Sequence, residues 1–102
     1  MNDIVRLALE EDIGSGDITT TACVPADRQA RGLFLAREPL ILAGTEVLRQ
    51  LYTDLTFHKH DGDRCGEGEI IAEVNGLARL LLTRERVALN FLQRLSGVAT
   101  EN

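Results

Sequence analysis

The chain has 102 residues, of which 44% are hydrophobic and 26% charged, the proportions of one small folded domain and not of a disordered tail or a collagen-like repeat. Its 11 Lys and Arg against 16 Asp and Glu give a formal net charge of −5, which disfavours sequence-independent binding to nucleic acid, where many phosphates must be matched by cations. No apolar run approaches the roughly 18 residues that span a bilayer, and the opening Met1-Asn2-Asp3 leads into a short, charge-bearing stretch unlike a secretory signal, so a soluble cytoplasmic protein with no membrane partner is expected.

In chain order, Asn2 or Asp3 can cap a short amphipathic helix carrying Ile4, Val5, Leu7, Ala8 and Leu9 and ending at Gly14. Turn formers fill residues 11 to 20, and Thr19, Thr20 and Thr21 suggest extended chain after them. Ala30, Gly32, Phe34 and Ala36 alternate with Arg31, Leu33, Leu35 and Arg37, a strand that Pro39 closes, and Leu40 to Ala43 can form a brief second one. Thr45 reads as the cap of a helix whose apolar positions are Val47, Leu48, Leu51, Tyr52 and Leu55. Asp61-Gly62, with Gly66 and Gly68 before Ile70, Ile71, Ala72 and Val74, reads as hairpin-like β structure. Leu77, Leu80, Leu81, Ala88, Leu92 and Leu95 then share one stripe of a long helix that should stop at Gly97, with a break or restart near Thr83. The expected class is α+β, in one domain over residues 1 to 102.

Charge is unevenly spread. Residues 1 to 76 carry 7 basic and 14 acidic side chains, whereas residues 77 to 102 carry Arg79, Arg84, Arg86 and Arg94 against Glu85 and Glu101. An anion, if one binds, should therefore meet the last helix. With a restart at Thr83, Arg84 and Arg86 would fall in a first turn whose dipole disfavours cations. Arg86, Asn90, Gln93 and Gly97 follow at intervals of four, three and four, forming a polar stripe beside the apolar one. Such a stripe is either a solvated face or a guanidinium held toward a carboxylate or phosphate, the planar anions its fork fits.

Other groups carry less. Cys23 and Cys65 form no CxxC pair and read as free thiols. Gly14-Ser15-Gly16 is ringed by Glu10, Glu11, Asp12 and Asp17, so it reads as a turn and not a phosphate cradle, with Asp17 and Thr19 or Thr20 capping local N–H groups. His58 and His60, two apart on a strand, could bind a metal with Asp61 or Asp63, although exposed histidines beside a turn are the simpler reading, and no metal site is assigned. Lys59, the single lysine, beside the Asp61-Gly62 turn, is what a carrier or adaptor domain modified by acylation or biotinylation would display.

Two longer stretches resemble a known family. Leu9-Glu10-Glu11-Asp12-Ile13-Gly14-Ser15-Gly16-Asp17-Ile18-Thr19-Thr20 is similar to the amino-terminal signature of the quinolinate phosphoribosyltransferases, or nicotinate-nucleotide pyrophosphorylases (carboxylating), and residues 81 to 100, containing Glu85-Arg86-Val87-Ala88-Leu89-Asn90, are similar to that family's second signature. Ile41-Leu42-Ala43-Gly44 and the spaced Gly62, Gly66 and Gly68 match between them, and Cys65 departs where an aliphatic residue is expected. The resemblance implies an amino-terminal α/β sandwich, hammerhead-like, whose catalytic α/β barrel lies outside this chain. It implies a pentosyltransferase of NAD biosynthesis that turns quinolinate and phosphoribosyl pyrophosphate into nicotinate mononucleotide, CO2 and pyrophosphate. Mg2+ would be bound outside these residues, and the enzyme would work as a homodimer or higher homo-oligomer. The fragment would hold no catalytic residue, and Arg86 would bind a quinolinate carboxylate in trans. Molybdenum-transport-associated homologues share both signatures and are the alternative within the family.

Overall fold

A computed structural model describes residues 4–11 and 27–101, with the side chains of Glu10 and Glu11 left aside. Gly14-Ser15-Gly16, Asp17, the threonines 19 to 21 and Cys23, with the turn, capping and free-thiol roles expected of them, lie outside the described residues. The elements run β1 Val5–Glu11, β2 Gln29–Ala36, β3 Leu40–Ile41, α1 Thr45–Leu51, β4 Leu55–Phe57, β5 Arg64–Cys65, β6 Ile70–Leu77 and α2 Ala78–Glu101. Four strands form an antiparallel sheet in the order β1-β2-β6-β4, and β3 pairs with β5 in a separate two-stranded ribbon. The core lies between one face of the sheet and the two helices, and the α+β sandwich expected from the sequence is what the chain forms.

β2 shows why the sheet has one buried face. Ala30, Gly32, Phe34 and Ala36 are all buried, opposite Glu11, Leu9, Leu7 and Val5 on one side and Gly76, Val74 and Ala72 on the other, as the period of two requires. A β-carbon on Gly32 would lie 3.0 Å from both Leu7 Cδ1 and Val74 Cγ1. Glycine stands there because the flanking strands' side chains close over it. Phe34 is fully buried and meets the Tyr52 ring edge-on, with centroids 5.9 Å apart.

The first element differs from the helix expected at Ile4 to Leu9: it is a strand in register with β2 along its whole length. The same residues satisfy both periods on paper, but the strand puts Val5 and Leu9 in the core and leaves Arg6 exposed. A two-turn helix is marginal alone, whereas pairing satisfies the open edge of β2.

α1 begins at Thr45, with Gly44 and not Thr45 as its N-cap, at φ 95°. The left-handed turn favours glycine, and a β-carbon there would come within 2.8 Å of Leu95 Cδ1. The cap's missing side chain is replaced from elsewhere, as the Thr45 N–H donates to Asp61 Oδ1 at 3.1 Å. Tyr52 and Leu55, expected on this helix, follow it. The Asp61-Gly62 turn is present, and the runs on either side of the glycine-rich stretch, β4 and β6, pair antiparallel in the hairpin-like way expected; the short β5 between them pairs instead with β3.

α2 is a single helix of 24 residues, about 36 Å long. No break occurs at Thr83, whose hydroxyl donates to the Arg79 carbonyl one turn back at 2.7 Å. Nor does Gly97 stop it. On either side of that residue the helix is held by β3 and the chain just after it: Ser96 Oγ accepts from the Ala43 N–H at 3.0 Å and donates to the Ala43 carbonyl, while Thr100 Oγ1 accepts from the Ile41 N–H at 2.8 Å and donates to the Ser96 carbonyl. Ser96 is fully buried. Ser96→Ala should cost about 1–3 kcal/mol in urea unfolding, the penalty for a buried N–H and C=O losing their partner; a loss below about 0.3 kcal/mol would show that the pairing does not matter.

Candidate substrate-contact site

Because α2 starts at Ala78 and not at Thr83, Arg84 and Arg86 stand in its second and third turns, outside the first-turn dipole. Two residues apart on a helix, they project about 200° from one another. Their fates separate accordingly. Arg84 folds back on the body, its guanidinium donating to the Leu51 carbonyl at the end of α1. Arg86 points outward, exposed, and among the described residues it enters no ion pair.

Arg86 shares a shallow depression of about 280 Å³ with Glu85, Leu89, Asn90 and Gln93. The polar stripe read from the sequence is therefore one surface feature. It continues past Gln93 into a second depression of about 310 Å³, where Gly97 joins Ile4, Glu38, Pro39, Thr100 and Glu101. Gln93 belongs to both, and its Oε1 accepts a long hydrogen bond, 3.4 Å, from the Val5 N–H at the outer strand.

Glu85 was not singled out by the sequence reading. It is half-buried, and burial pushes its carboxyl above the usual carboxylate range while the Arg86 charge pulls it back. Across the α1–α2 joint the Tyr52 hydroxyl donates to the Leu81 carbonyl at 3.3 Å. Burial, with the Glu85 charge adding to it and the Arg84 charge opposing it, pushes that phenol up to about 12. The stem of α2 beside Arg86 is thus fixed by Tyr52 and Arg84 on the inner side, and its far end by Ser96 and Thr100.

The remaining candidates do not converge. His58 and His60 lie outside β4: the His58 ring is 3.8 Å from Glu73, and the His60 N–H donates to Asp63 Oδ2. Among the described residues no three His, Cys, Asp or Glu side chains gather as metal ligands. Lys59 is not displayed at a turn tip but held 2.8 Å from Glu69 Oε2. The hydrogen bond between them raises the lysine and, with a second from the Gly66 N–H, lowers the Glu69 carboxyl. Cys65, where an aliphatic residue was expected, is fully buried in the core, and burial raises its thiol. Among the described residues no helix is long and apolar enough to cross a membrane.

What the fold and site define is a small α/β sandwich presenting on its long helix an exposed guanidinium that enters no ion pair among the described residues. The family model described as quinolinate phosphoribosyl transferase, N-terminal domain, matches residues 17–96. The chain belongs to the quinolinate phosphoribosyltransferase family, as its amino-terminal domain.

Among curated relatives, a mitochondrial quinolinate phosphoribosyltransferase (decarboxylating) 2b of Nicotiana tabacum is 36% identical over 107 residues, covering 98% of this chain and 30% of the relative. A probable nicotinate-nucleotide pyrophosphorylase (carboxylating) of Bacillus subtilis is 40% identical over 96 residues, covering 88% and 33%. Of solved structures, the nicotinate-nucleotide pyrophosphorylase of Ehrlichia chaffeensis superposes with a TM-score of 0.73 at 33% identity, over 84% of this chain and 33% of that one. NadC of Streptococcus pyogenes gives 0.70 at 41%, over 85% and 34%. The chain spans about a third of the length of the relatives it matches.

Proposed function

We propose that this chain is the lid and dimerisation domain of a quinolinate phosphoribosyltransferase, and that it contributes Arg86 to the active site of a second subunit. In that role the whole enzyme, a pentosyltransferase, converts quinolinate and phosphoribosyl pyrophosphate to nicotinate mononucleotide, CO2 and pyrophosphate in the cytoplasm. The chemistry belongs to a barrel outside residues 1 to 102, and these residues alone are inactive. Magnesium, which the family uses with phosphoribosyl pyrophosphate, would be held outside them as well.

The observation that carries the reading is the contrast between two neighbouring arginines. Arg84 is consumed by the body of the domain, whereas Arg86 is presented outward with no acid paired to it, on a helix fixed at both ends. A planar guanidinium fork binds a carboxylate bidentately at roughly twice the strength of a neutral hydrogen bond. Quinolinate offers two carboxylates, and one docking against Arg86 would be steered and oriented by it.

Subunit mixing tests the trans arrangement. Subunits of the complete enzyme carrying Arg86→Ala are mixed, unfolded and refolded with subunits whose barrel has been inactivated. Contribution across a dimer predicts recovery to about a quarter of normal activity, because half the dimers are then mixed and each has one intact site. No recovery in mixed dimers shown to have formed would mean that Arg86 serves its own subunit.

A further inference from the structure

We propose that Gln93 is a substrate-orienting residue of the Arg86 site, its amide NH2 donating to the second carboxylate of the dicarboxylate whose first carboxylate Arg86 holds. This rests on the reading of Arg86 given above. The argument starts from the Val5 N–H, which can only donate. The oxygen of the Gln93 amide therefore faces it, and the nitrogen, with both its hydrogens, is turned away from the strand edge. Gln93 lines the same depression as Arg86. The two are seven residues apart, hence within about 20° of each other around the helix axis and about 10.5 Å apart along it, with Asn90 between them in height.

An amide turned in this direction does something a second arginine would not. It offers a directed donor without adding charge, so it distinguishes a ligand with an acceptor at that position from one without, because the unmatched polar group is what costs binding. In this way it favours a 2,3-dicarboxylate over a pyridine bearing one carboxylate. The strand edge is part of the device, since β1 fixes which end of the amide faces the substrate.

Gln93→Glu separates this role from a structural one. The variant keeps an oxygen for the Val5 N–H and nearly the same shape, but replaces the NH2 with a carboxylate oxygen that repels the substrate. In the complete enzyme we expect the KM for quinolinate to rise about tenfold or more, with the KM for phosphoribosyl pyrophosphate and the thermal midpoint unchanged. A KM for quinolinate within about twofold of normal, while Arg86→Ala raises it, overturns the proposal alone. Unchanged kinetics in both variants overturn the reading of Arg86 beneath it. A lowered thermal midpoint with both KM values raised together would make Gln93 a strut for β1 and also overturn the proposal.

Discussion

Arg86→Ala in the complete enzyme is expected to lower kcat/KM for quinolinate by about 30-fold to about 4,000-fold, the factor corresponding to the about 2–5 kcal/mol lost when one member of a buried charge pair is removed. The domain itself should be untouched. The side chain is exposed and enters no ion pair among the described residues, so urea unfolding of the variant should overlay that of the parent. Arg86→Lys keeps the charge but not the fork, and should recover only part of the loss. Arg84→Ala is the opposite control: it removes the hydrogen bond to the Leu51 carbonyl, so stability falls while binding is spared the direct loss. Equal kinetics for Arg86→Ala and the parent would remove the basis of the proposed function.

The second large effect is on folding. Phe34→Ala should destabilise the domain by about 3–5 kcal/mol, a large share of the roughly 5–15 kcal/mol available to a protein of this size. Phe34 is fully buried at the centre of the sheet, between β1 and β6 and against the Tyr52 ring. The loss includes its transfer free energy, the cavity left behind and the edge-on aromatic contact. The thermal midpoint should fall by more than about 12 °C. A drop of less than about 1 kcal/mol in urea unfolding with an unchanged m-value would mean that the core relaxes around the gap.

How much of this was readable in the sequence varied with how local the determining forces are. β2, β3 and α1 were legible because alternation from Ala30 to Arg37, Pro39 and the Val47–Leu48–Leu51 spacing each act within a few residues. β1 was not, since its apolar residues fit two periods and the choice is made by the distant edge of β2. The Asp61-Gly62 turn and the antiparallel pairing of the runs flanking it were legible, but the pairing of the intervening β5 with the distant β3 was not, because nothing local marks it. At the helix end, the stop signal of Gly97 is outweighed by Ser96 and Thr100, whose hydroxyls, spaced by four on the helix, bond to Ala43 and to Ile41 of β3. The site was legible as a stripe from Arg86 to Gly97. That Arg84 would be drawn inward was also present in the sequence, because residues two apart on a helix diverge, yet the expected restart at Thr83 hid it.

α2 has three sides. One is buried against the body of the domain through Leu81, Ala88, Leu92 and Ser96; one carries the Arg86 stripe; and one, made of Leu80, Val87, Phe91 and Val98, is apolar and between 42% and 59% exposed. At about 100° per residue the oily side lies about 120° around the rod from Arg86. A body resting on Leu80 and Phe91 would therefore approach from a different bearing than one receiving the guanidinium. One rigid rod thus turns its guanidinium and its apolar side in two different directions.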